Sequence, residues 1–184
     1  MKSRRDLILI LAVGIALAFA GTVGSAPVPP VQMPEPVAHT FKTVFPNGTI
    51  DKLDAEEEEG VMVYDFEFHA GDRGKEADIA FDGTMMESTL VIAAKDIPAP
   101  AMKTIKKVAS GAKLGRMEWL ETFYKTEKAK LVKLPKSEIH YACEMWRGNK
   151  MGEVFVTPAG KVTEAPEWKV VAAAATGSGG NGGK

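Results

Sequence analysis

Among the 184 residues there is one cysteine, Cys143, and there are three histidines. A single thiol closes no intramolecular disulfide, so any domain formed by this chain is held by its core alone. With Cys143 far from the N-terminus, no cysteine there can carry a lipid. The histidines His39, His69 and His140 include no pair at metal-ligand spacing, and no metal site is expected. The chain has no Gly-x-Ser-x-Gly, no glycine-rich phosphate loop opening a helix and no recognisable Ser, His and Asp grouping. Glu67 and Glu144 could serve as an acid/base pair across a repeat interface, but each reads more simply as a solvated sheet residue. The expectation is a non-enzyme with no catalytic residues and no cofactor.

What is present begins with an address. Lys2, Arg4 and Arg5 precede an apolar run from Leu7 to Ala20, the charged and hydrophobic regions of a secretory signal, with small residues placed for cleavage after Ala20. Residues 1–20 are therefore read as a signal peptide, and the protein as exported, periplasmic or extracellular. The alternative stays open: the apolar stretch from Leu7 to Val23 lies near the lower limit of about 17 residues for a spanning helix. An uncut N-terminus would make the chain a membrane-tethered structural or sensor module. If the signal is cleaved, no stable membrane insertion is expected.

Residues 21–36 form a proline-rich linker, extended in the polyproline manner. Residues 169–184 end in alanine and glycine tracts that read as a disordered tail. Between them lies one ordinary domain of about 130 residues. The net charge of −1 hides an asymmetry: Ala38 to Lys95 carries −8 and Ala101 to Trp168 carries +5. An exported, weakly acidic chain is a poor nucleic-acid ligand, and none is expected as a partner.

The domain repeats itself. Val37, Phe41, Val44 and Phe45 have helical spacing and are followed by Pro46-Asn47-Gly48; Ala101, Ile105, Val108 and Ala109 are followed by Ser110-Gly111. Tyr64, Phe66 and Phe68 alternate with Asp65, Glu67 and His69, as a strand with one covered face requires. Tyr141, Cys143 and Met145 alternate in the same way with Ala142, Glu144 and Trp146, which places Cys143 in the core. Asp82-Gly83 and Ala159-Gly160 mark tight turns, and Glu56 to Glu59 read as a solvated turn between strands. Ile50 to Tyr64 spans 14 positions and Leu114 to Tyr141 spans 27, so the second copy carries an insertion. Its Thr122, Phe123, Tyr124, Val132 and Pro135 favour an extended hairpin over a helix. The fold class expected is α+β: two tandem units, residues 37–96 and 97–168, each one helix plus about four antiparallel strands, with the helices packed on one face of the sheet.

Phe41-x-x-x-Phe45-Pro46-Asn47-Gly48-x-Ile50, Tyr64-x-Phe66-Glu67-Phe68, Gly74-Lys75-Glu76-Ala77 and Phe81-Asp82 resemble the exported PepSY-like family, also described as beta-lactamase-inhibitor-like. The resemblance implies a non-enzymatic domain that binds protein, an exported hydrolase or peptidase that it inhibits being the specific form. The partner-binding residues expected are Asp65, Glu67, His69 and Asp72 from the first copy and His140, Glu144, Trp146 and Phe155 from the second. Trp146 and Phe155 are expected as exposed aromatic anchors, and Asp72 as the carboxylate of an acidic hairpin tip.

Overall fold

The computed structural model describes residues 31–171; the segment read as a signal peptide, the linker segment up to residue 30 and the tail segment from residue 172 lie outside them. Helix α1 (Glu35–Val44) leads into strands β1 (Thr49–Glu58), β2 (Val61–Ala70), β3 (Arg73–Ala80) and β4 (Met85–Val91). After a 3-10 turn (Ala94–Asp96) come helix α2 (Ala99–Ala109) and strands β5 (Lys113–Glu127), β6 (Lys130–Arg147), β7 (Lys150–Val156), β8 (Val162–Glu164) and β9 (Lys169–Val170). Each strand from β1 to β7 pairs antiparallel with the next, and β9 pairs with β7.

This corrects the expected fold class. Of the described residues 57% are strand and 17% helix, which makes the molecule predominantly antiparallel sheet and not two α+β units of one helix and four strands. Strand β4 does not end a unit: Glu87 to Val91 pair with Thr122 to Glu118 of β5, so nine strands make one sheet. The physical reason is that an unpaired strand edge leaves a row of backbone donors and acceptors, and β5 satisfies that row on β4.

The helices mark one face of this sheet. Val37 and Phe41 of α1 share a core with Tyr64, Phe66, Phe68 and Ile79. Phe41 stacks on Phe66 with ring centroids 4.6 Å apart and meets Phe68 edge-on at 5.0 Å. Phe66 is wholly buried, and truncating such a ring costs about 3–5 kcal/mol. Ala101, Ile105 and Ala109 of α2 share a second core with Tyr141, Cys143, Met145 and Val154. A small contact pins each helix: Thr40 Oγ1 donates to the Gly83 carbonyl at 2.6 Å, and Thr104 Oγ1 donates to that of Gly160 at 2.8 Å. Both glycines have positive φ, and a Cβ on either would sit within 2.8 Å of a helix-start proline carbonyl oxygen, so the approach requires glycine. Helix α2 ends on left-handed Ser110 and Gly111 as its sequence predicts, whereas α1 ends on Phe45 with φ −123 and no left-handed residue.

The inserted segment is the long hairpin of β5 and β6. Its strands lose regular pairing between Thr122 and Tyr124 on one side and Glu138 and Lys133 on the other, a bulge that accommodates Pro135. Beyond the bulge the hairpin reaches the far end of the sheet. Tyr124 and Leu131 pack on Val61, Val63, Ala80 and Met86, and the Ala129 amide donates to the Glu59 carbonyl at 2.8 Å. Glu56 to Glu58, expected in a turn, belong to β1, and only Glu59-Gly60 make the turn.

Candidate binding face

The face opposite the helices is built by the second half of each strand's alternation. Register sets Asp54, Asp65, Asp78 and Glu87 side by side on β1, β2, β3 and β4, with Thr122 and Glu138 continuing the row. The next row is Lys52, Glu67, Glu76, Thr89, Leu120 and His140. A third runs from Val91 through Glu118 and Ala142 to Phe155 and Glu164. Like charges directly opposite one another on adjacent strands are destabilising, and this face has three such steps in its first row alone.

Burial compounds the repulsion. The Asp65 carboxyl is pushed up to about 7, first by burial and then by Glu76, Glu67, Glu56 and Asp54. Asp78 is held well above the ordinary carboxylate range by burial and by Glu87, Asp65, Glu58 and Glu76. Glu118 also reaches about 7: burial and Glu76 outweigh the guanidinium of Arg116, which pulls the other way. Arg116 forms ion pairs with both Glu76 and Glu118, spanning β4. Glu87, 9% exposed, accepts a hydrogen bond from Thr122 Oγ1 at 2.6 Å. Lys52 is held between Asp54 and Glu67. The acidic rows and the apolar side chains Leu120 and Phe155 together line a small groove of about 30 Å³.

Of the residues singled out in the sequence, Asp65, Glu67, His69, His140, Glu144, Trp146 and Phe155 all occupy positions on this face. His69 Nδ1 lies 2.8 Å from Asp51 Oδ2 at the rim. Asp72 stands apart, exposed in the turn between β2 and β3, beside Gly71 at φ 72. Glu144 Oε2 receives the Arg116 backbone N–H at 3.4 Å, and Trp146 lies over Gly115, where a Cβ would come within 2.9 Å of the indole nitrogen. Phe155 is not an exposed anchor: it is 5% exposed and packs with Leu120 and Ala142. The ring is large enough to fill the space between β5 and β7, and alternation alone gives the face of a residue without its depth. Sequence reasoning missed Asp78, Glu87, Thr89 and Glu118. Their alternation in "Ala77-Asp78-Ile79" and "Met86-Glu87-Ser88-Thr89" was visible, but the strand register that aligns them was not.

Among the described residues no cluster of three or more His, Cys, Asp or Glu is arranged to hold a metal ion. No described helix is long and apolar enough to cross a membrane.

No family model matches the sequence, and no curated protein matches it. Solved structures do resemble it. A protein named as periplasmic, from Bacteroides eggerthii, is 13% identical with a TM-score of 0.55 over 75% of this chain and 90% of its own. A BLIP-like protein from Bacteroides fragilis is 14% identical, with a TM-score of 0.51 over 79% of this chain and 90% of its own. A DUF2874 family protein from Bacteroides uniformis is 15% identical, with a TM-score of 0.54 over 74% and 90%. At such identities the likeness speaks for the fold alone, and the fold of this chain is BLIP-like.

Proposed function

We propose that this chain is an exported, non-enzymatic protein-binding domain whose contact surface is the sheet face opposite the helices, and that inhibition of an exported peptidase or other hydrolase is the form its binding takes. The observation that carries the reading is the row Asp54, Asp65, Asp78 and Glu87. A solitary domain gains nothing from opposing carboxylates on four neighbouring strands, whereas a surface that meets a partner of complementary charge uses them for orientation and rate of encounter. The secretory pattern of residues 1–20 and the periplasmic naming of a structural neighbour support export. Trp146 supplies a half-buried aromatic on the face, and Asp72 a carboxylate on a free turn.

The test is affinity capture from the exported proteins of the source organism with the full chain and with a Trp146→Ala, Asp72→Ala double variant. A hydrolase retained by the parent, lost by the variant and slowed by added parent protein is the expected result. Retention that ignores both substitutions rejects the face as the contact surface. The tethered alternative rests on the apolar run from Leu7, and N-terminal sequencing of the exported protein decides it: a start at Gly21 removes the tether.

A further inference from the structure

Resting on the reading of this face as a protein-binding surface, we propose that the groove on it receives a lysine side chain of the partner, its ammonium seated among Asp65, Asp78 and Thr89 and its aliphatic stem against Leu120 and Phe155. Three observations lead there. First, the cations on this face are engaged elsewhere: Arg116 pairs with Glu76 and Glu118, and Lys52 with Asp54 and Glu67. Asp65 and Asp78 have no ion pair or side-chain hydrogen bond among the described residues, although both line the groove and sit directly opposite each other in register.

Second, Thr89 lines the same groove, is 4% exposed, and its hydroxyl makes no side-chain hydrogen bond among the described residues. A hydroxyl on a side chain so nearly closed off from water gains from a partner, so its place in the same groove as two lone carboxylates marks a position for a donor from outside the chain. Third, the wall continues as Leu120 and Phe155. A hydrated metal ion gains nothing from apolar walls, and the carboxylates are not grouped to hold one. A lysine stem covers such walls while its compact head, with three donors, satisfies two carboxylates and one hydroxyl at once.

The test uses acetyl-tetralysine amide as the probe and its fully Nε-acetylated counterpart as the uncharged control, with methyl NMR on the full chain. The charged peptide is expected to shift the Thr89 and Leu120 methyl resonances, and the acetylated peptide to leave them unmoved. An Asp65→Asn, Asp78→Asn double variant should bind the charged peptide at least tenfold more weakly, whereas Glu57→Gln, on the helix side of β1, should bind as the parent does. Equal binding by the double variant, or shifts confined to the Val61 and Met62 methyls opposite Glu58 and Glu57, reduces the effect to diffuse charge attraction and overturns the proposal. The methyl map of the parent stands even if the double variant fails to fold. The two readings separate in the capture experiment. A partner lost by Trp146→Ala but kept by the Asp65→Asn, Asp78→Asn variant overturns the lysine groove and leaves the binding face in place; a partner indifferent to every variant removes both.

Discussion

Cys143 shows how completely one position can be decided by its neighbours. Its side chain is wholly buried between α2 and the sheet, and its Sγ donates to the Glu144 carbonyl at 3.3 Å. Burial first, then Glu153 and Glu144, push the thiol up to about 11. At pH 8 the thiolate is a trace species and no reagent can reach it. A disulfide reagent should therefore leave the native thiol unlabelled over hours and modify it fully in guanidinium; rapid native labelling would place Cys143 outside the core. This residue was legible in the sequence because alternation with Tyr141 and Met145 fixes its face. The carboxylates were legible only as polar positions. That Asp65 and Glu118 are pushed up depends, beyond burial, on Glu76, which comes from another strand and enters the site only through register.

At the scale of elements, the β5–β6 hairpin does most to shape the face. Its tip docks on the β1–β2 turn, where Gly60 has φ 88 and a Cβ would stand 2.8 Å from that of Ala129. Gly60→Ala meets both a left-handed backbone and a filled space, and should destabilise the protein by about 1–3 kcal/mol, read from the urea midpoint at unchanged slope. A stability equal to the parent's would mean that the hairpin end is not docked there. The sequence disclosed that this hairpin exists, since Pro135 and the β-branched residues exclude a helix, but not where its end lands. Val61 and Val63 are the trace of that landing: they fall on the polar side of β2's alternation and are nevertheless buried. The turn assigned to Glu56–Glu59 failed for a related reason. Four glutamates are poor strand formers in isolation, yet pairing of Glu56, Glu57 and Glu58 with Val63, Met62 and Val61 holds them extended.

For the whole molecule, the buried carboxylates set the response to pH. The folded values of Asp65 and Glu118, about 7, lie above the ordinary carboxylate range near 4, so the folded state holds protons that the unfolded chain releases. Their contribution to stability is fully present below about pH 4, declines as pH rises and is lost once pH passes about 7. The melting temperature should accordingly be several degrees higher at pH 5 than at pH 8, opposite to a protein held by salt-bridged carboxylates. A melting temperature that climbs over this interval would show the acidic face to be solvated. The charge asymmetry between the two halves of the chain was visible in the sequence, but one continuous sheet was not. The join at Glu87–Val91 and Thr122–Glu118 is a pairing between segments separated by a helix, and repeated motifs on either side of it suggested a boundary where the hydrogen bonds run straight through.

The contact between Ala129 and Glu59 also has a consequence in time. Strands β1 to β4 can zip together in the order in which they are synthesised, because each pairs with its neighbour in the chain. The apolar patch of Val61, Val63, Ala80 and Met86 has no cover until the distant hairpin tip has been delivered, turned and laid across it. Closure of so long a loop is slow to nucleate. The latching of the hairpin thus has to wait for the chain from β5 onward, and until it occurs the first four strands carry an uncovered apolar end.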